Sequence, residues 1–181
     1  MGVGYSAGSN ITTGSNNIAI GSNSTVPTAT ASNQVKIGDW AITYAGIQVA
    51  WTITSDKRWK SQIHDVPYGL DFINELRPVS YVRKNSPTQK QEYGFIAQDV
   101  EQVFASHGDT KQGMLTKTDA GYLELRYNDF IAPIVRSIQE VSTTLRAHDD
   151  KLKIHDTELE QLKSENQILR SRLDVIEARL Q

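Results

Sequence analysis

Residues 138–180 read "IQEVSTTLRAHDDKLKIHDTELEQLKSENQILRSRLDVIEARL". Steps of three and four from Ile138 land on Val141, Leu145, His148, Leu152, His155, Leu159, Leu162, Asn166, Leu169, Leu173, Ile176 and Leu180. The pattern runs unbroken over about six heptads and extends back to Ile134 and Ile131. A 3.5-residue repeat falls short of the 3.6 of a straight helix, so the apolar seam stays on its partner only in a left-handed coiled coil. Such a helix needs partner helices. Three seam positions are polar: His148, His155 and Asn166. A core Asn fixes register and oligomer state at some cost in stability. The two histidines, one heptad apart in the same d slot, have two readings. They are tolerated register-setters, or they form rings of imidazoles that make assembly sensitive to pH or hold a metal.

Outward from this helix the composition changes twice. Residues 137–181 hold seven basic and nine acidic side chains and no Gly, Pro or aromatic residue; residues 55–136 hold eleven of each charge; residues 1–54 hold only Lys36 and Asp39. Three regimes follow: 1–54, 55–136 and 137–181. A net charge of −2 leaves no basic footprint for nucleic acid. The absence of cysteine excludes disulfides and thiolate metal sites. No apolar run approaches the roughly 18 residues of a membrane span, and no signal segment opens the chain. Met1 leads straight into repeat-like sequence, so the chain is expected to be cut from a longer protein.

In residues 1–54, "GSN" recurs at Gly8, Gly14 and Gly21, with Ile11-Thr12-Thr13 and Ile18-Ala19-Ile20 between. Turn residues alternating with short β-formers at a small period mark a solenoid, whose units bury a face only by stacking. The competing reading is a Gly/Ser/Asn linker. Beyond Pro27, Val35, Ile37, Trp40, Ile42, Tyr44, Ile47, Val49, Trp51 and Ile53 alternate with breaks at Gly38-Asp39 and Ala45-Gly46. That pattern predicts two or three short strands, covered by other chains.

Residues 55–136 predict a small α+β domain. Leu70, Ile73 and Leu76 share a helical face, stopped by Pro78 at Arg77. Val79 to Arg83 and "EYGFIA" predict one hairpin; Met114–Thr116 and Tyr122–Leu125 around "TDAG" predict another. Between them, Val100, Val103 and Phe104 define a helix ended by His107-Gly108. Asn128 is placed to cap the long helix, with Pro133 in its first turns.

Little in the chain has the look of catalysis. The four histidines are scattered without metal-ligand spacing, and Gly2-Val3-Gly4 makes no phosphate cradle. Asp99 and Glu101, two apart on a helix, face different ways. What remains is "TITSDKRWKSQI", Thr52 to Ile63. Lys60 can act as general base for Ser55 if burial or neighbouring cations such as Lys57 and Arg58 favour its neutral form. The plain alternative is a turn with Ser55 or Asp56 as its cap.

"SDKRWKSQI" followed by "YGLDFINELRPVSY", "YGFIAQDVEQVF" and "YNDFIAPIVRSIQEV" running into a coiled coil resembles the self-cleaving intramolecular chaperone domain of bacteriophage tailspike, tail-fibre and neck-appendage proteins, the endosialidase type. The resemblance covers about Thr52 to Gln181. It implies an α+β chaperone domain with a long C-terminal coiled-coil helix, preceded by a β-rich, triple-β-helix-like trimeric stalk. It also implies a homotrimer that nucleates the upstream stalk of the same polypeptide and then cuts itself free. By the same resemblance Ser55 is the nucleophile, Lys60 the base, and the cut falls between Ser55 and Asp56. No cofactor, nucleic acid or membrane is implied. The stalk belongs to a virion tail and the released chaperone to the host cytoplasm. The runner-up readings are a trimeric fibre tip that is never cut and a host-surface adhesin built on residues 1–54.

Overall fold

A computed structural model describes residues 1–109 and 112–180. Three short strands open the chain: β1 (Gly2–Val3), β2 (Ile18–Ile20) and β3 (Val35–Ile37). They lie side by side, all parallel, with Gly2 against Ala19 and Ala19 against Lys36. Each rung therefore takes 17 residues. The backbone repeats with the same step: left-handed conformations fall at Gly4, Gly21 and Gly38, at Ser6 and Asn23, and at Asn16 and Asn33. "SNNIAIG" (Ser15–Gly21) stacks on "SNQVKIG" (Ser32–Gly38). Ser15 N donates to Ser32 Oγ at 2.9 Å, Asn16 Nδ2 to Asn33 Oδ1 at 2.6 Å, and Gln34 N to Asn17 Oδ1 at 2.9 Å. At Gly4 a Cβ would lie 2.7 Å from the Gly21 backbone, so that column must be bare.

The coil and the segment after it correct the sequence reading in four ways. The "GSN" triplets at Gly8 and Gly14 are not equivalent positions, because both fall within one rung. The neighbour of each strand is the same chain, not another chain as in a triple β-helix. Strands take only eight of the first 54 residues, so the segment is a coil of turns rather than β-rich; Ile11–Thr13 is not a strand. Nor do residues 40–54 form strands: the backbone is irregular, with a turn at Trp40–Ala41 and a bend at Gln48–Val49, and Trp40, Tyr44, Trp51 and Ile53 stand exposed on it. The sheet stops at β3, whose outer edge takes no fourth strand, so the N–H and C=O groups of residues 40–54 enter no ladder.

The body that follows has an aromatic core. Helix α1 (Leu70–Glu75) buries Phe72, and α2 (Ala97–Ser106) buries Val100 and Phe104. Tyr68, Leu76 and Phe130 complete the cluster. The rings of Phe72 and Phe104 are 5.3 Å apart, within the range in which aromatic pairs attract. α1 ends at Glu75, two residues short of the expected Arg77, because a residue before proline disfavours the helical region. β4 (Val79–Val82) pairs antiparallel with β5 (Gln91–Gly94), and β6 (Leu115–Lys117) with β7 (Leu123–Leu125), so both expected hairpins form. The β6–β7 turn touches the coil: Ala29 N donates to Asp119 Oδ2 at 2.7 Å, and Asp119 N to Pro27 O at 2.9 Å.

A 3-10 turn over Tyr127–Phe130 leads into α3 (Ile131–Leu180), 50 residues and about 75 Å long. Asn128 does not cap this helix with its side chain; it sits inside the turn, and its carbonyl accepts from Ile131 N. Pro133 falls in the first helical turn, where its missing N–H removes no bond. The whole is an α+β body with a long C-terminal helix. Along α3 the seam residues Leu145, Leu152, Leu159, Leu169 and Leu173 are all more than half exposed. Gln181, the last residue of the expected coiled coil, lies outside the described residues.

Candidate active site

The segment between coil and body holds the serine and the lysine. Asp56 caps a 3-10 turn over Lys57–Trp59, taking the cap role that the plain reading left open between Ser55 and Asp56. Its Oδ1 accepts from Arg58 N at 2.8 Å. Trp59 N donates to Asp56 O at 3.1 Å and Lys60 N to Lys57 O at 3.0 Å. This tight reversal folds the five-residue step back on itself, and Lys60 Nζ donates to Ser55 Oγ at 2.7 Å. Both side chains are exposed.

Asp56 turns the other way. Its carboxylate takes a fork from the Arg58 guanidinium, Nη2 to Oδ2 at 2.7 Å and Nε to Oδ1 at 3.1 Å. The Arg58 side chain, and next its backbone N–H, hold the Asp56 carboxyl below its ordinary range. The same pair raises Arg58, which stays charged throughout. An exposed ion pair of this kind contributes little to stability; what it fixes is direction.

Other candidates do not assemble. Asp99 pairs with Arg77 at 2.7 Å on the surface. Ser106, Glu75 and His107 lie together, but the Ser106 hydroxyl donates to Glu75 at 3.2 Å, and His107 Nε2 meets Glu75 at 3.3 Å. A serine held by the carboxylate rather than the imidazole has no base. Tyr68 donates to Asp109, and burial first, then that bond, pushes its hydroxyl well up. His148, His155 and Asn166 lie far along α3, remote in sequence from Ser55. Among the described residues no three His, Cys, Asp or Glu side chains converge on a metal position, and no helix is long and apolar enough to cross a membrane. The sequence reading missed the Asp56–Arg58 fork; the signal was an acid and an arginine two apart across a turn.

Fold and site define an α+β domain with a serine–lysine pair at its entrance and a long unpartnered helix at its exit. Residues 55–109 match the family described as the chaperone of endosialidase, which is classed as a peptidase. The match begins on the serine of the pair. The match supports an intramolecular chaperone domain of the endosialidase type beginning at Ser55. No curated protein matches the chain.

Proposed function

We propose that this chain assembles as a homotrimer through α3, helps the segment upstream of Ser55 to fold, and then severs itself from that segment with Ser55 and Lys60. The observation that carries the reading is the 2.7 Å contact between Lys60 Nζ and Ser55 Oγ at the first residue of the family match. In the uncharged state Lys60 accepts the serine proton, and Ser55 Oγ adds to a neighbouring peptide carbonyl. The leaving nitrogen takes that proton and is freed as an amine as the ester forms; water then opens the ester, giving a carboxylate and returning the serine hydroxyl. The family's junction is Ser55–Asp56. A serine reaches the carbonyl before itself more easily than its own, so the first residue of the released piece, Asp56 or Ser55, identifies the bond.

Parallel self-association has support in charge as well as in the apolar seam. With Leu145, Leu152, Leu159, Asn166 and Leu173 at a, Lys151, Glu158, Glu165 and Arg172 occupy g. Five residues on, at e, stand Asp156, Lys163, Arg170 and Glu177. Parallel, in-register copies bring each g against the following e of a neighbour, and all four pairs are opposite in sign. The coil pairs its rungs within one chain, so it gives no reason of its own for three copies; that number rests on the resemblance. On this reading the severed upstream stalk belongs to a virion tail and the released chaperone to the host cytoplasm.

Expression of the full chain tests the reading. Sedimentation of the Ser55→Ala chain should give three times the 20.2 kDa chain mass, and denaturing gels of wild type should show a shorter band that Ser55→Ala or Lys60→Ala abolishes. A folded trimer that stays whole, or a Ser55→Ala chain that is still cut, overturns it.

A further inference from the structure

We propose that Arg58 is a positioning residue for the cut at Ser55: it holds the Asp56 carboxylate away from Lys60, so that the lysine meets only the serine hydroxyl. This rests on the reading of Ser55 and Lys60 just given.

The difficulty it resolves is local. An aspartate sits beside the serine, and a lysine side chain folds back over the same turn. Left to themselves, a carboxylate and an ammonium so close would pair. Such a pair has two effects: it draws Lys60 off Ser55, and it stabilises the protonated amine, which cannot act as base. The structure shows the competing arrangement. Both Asp56 oxygens are taken by Arg58, with Oδ2 accepting from Nη2 at 2.7 Å and Oδ1 from Nε at 3.1 Å and from the backbone N–H at 2.8 Å. Lys60 is left on Ser55 at 2.7 Å.

Arginine suits the task for chemical reasons. Its planar fork matches a carboxylate at two points, and it never gives up its proton near neutral pH, so it neither leaves the carboxylate nor competes as a base. A lysine at 58 would be a point charge without the fork. The side-chain exposure of 86% for Arg58 shows that the pair is not there to stabilise a core.

The test is a cleavage time course of the full chain from about pH 6 to 10 for wild type, Arg58→Gln, Arg58→Lys, Asp56→Asn and the double variant Arg58→Gln/Asp56→Asn, with helicity followed to establish folding. In Arg58→Gln the acid limb of the rate should move to higher pH, with a loss of roughly tenfold near pH 7, the size of a one-unit shift from a nearby opposite charge. Arg58→Lys should fall between. Asp56→Asn should restore the rate and the pH profile in the double variant, because no carboxylate remains to be held. A loss in Arg58→Gln that is equal at all pH values and is not restored by Asp56→Asn means that Arg58 merely shapes the turn, and overturns the proposal. So does a wild-type profile in Arg58→Gln. Failure of the underlying reading has a different signature: cleavage that survives Ser55→Ala, or a wild-type chain never cut once assembled.

Discussion

The coil of residues 1–39 and helix α3 solve the same problem in opposite ways. Neither has a large apolar interior. In the coil, each rung satisfies the next within one chain: Asn17, nearly wholly buried, gives Nδ2 to Ala31 O at 2.9 Å and receives Gln34 N at 2.9 Å. Along α3 no such closure exists, because a single helix cannot cover its own seam. Leucines from Leu145 to Leu173 stand in solvent. One part of the chain closes rung on rung within itself, and the other leaves its apolar seam open to the assembly we propose. The stretch from Trp40 to Ile53, exposed and irregular between coil and body, resembles α3 in leaving large apolar side chains uncovered.

The sharpest way to break the comparison is Leu152→Asp. Each copy then brings a carboxylate into one seam layer, and an unpaired charge in an apolar layer is not tolerated. Assembly should be lost outright by sedimentation, with a large fall in helicity, while the 17-residue rungs keep their amide protection. Loss of rung protection in step with assembly would show that the coil, too, depends on other chains. Next in size is Phe72→Ala. Phe72 is fully buried among Tyr68, Phe104 and Phe130, and large-to-small changes at such sites cost about 3–5 kcal/mol. Denaturant unfolding of the body should report that loss even where assembly persists.

A smaller effect belongs to the coil. Asn17→Ala removes both polar ends of the bridge and leaves Gln34 N without its acceptor, while Ala31 O keeps Gln34 Nε2 at 2.9 Å. Unsatisfied buried groups cost about 1–3 kcal/mol. Faster amide exchange should appear in both rungs, at β2 and β3 together, with no change in the sedimentation of the whole. A response confined to one rung would mean that the ladder is not cooperative.

Some of this was legible in the sequence. The seam of α3 was, because a heptad repeats a local spacing many times. Both hairpins and α2 were as well, since turn residues and apolar spacing agree there. The pairing of Ser55 with Lys60 became legible only through the resemblance. The 17-residue rung was present in the letters, as Ser15–Gly21 against Ser32–Gly38, but the "GSN" triplets at shorter spacing masked it. Residues 40–54 show why alternation alone fails: it marks a segment able to be a strand but does not make it pair, and the outer edge of β3 takes no fourth strand. Contacts that join distant segments left no local trace. Asp119 meets Ala29 across 90 residues, and Glu140 meets Leu70 across 70.

That last contact yields the smallest and most specific expectation. α1 has no side-chain cap of its own; instead Glu140, on α3, accepts Leu70 N at 2.8 Å, while Arg136 holds the same carboxylate at 2.7 Å. The body is thereby pinned to the helix that we propose assembles. The Leu70 N–H first, then Arg136, lower the Glu140 carboxyl below its ordinary value of 4.5. A carboxyl that ionises more readily when folded adds stability above that ordinary value and loses it as pH falls through the lowered one. Glu140→Gln keeps an acceptor for Leu70 N but gives up the charge. Its urea midpoint should therefore lie slightly below wild type at pH 7, and the two should converge as the pH falls below about 4.5. Because the carboxylate is exposed, salt should narrow the gap as well. A difference that persists unchanged into acid would show that α1 is pinned to α3 by packing rather than by this charge, and that the body docks on the helix as the coil stacks on itself, through shape.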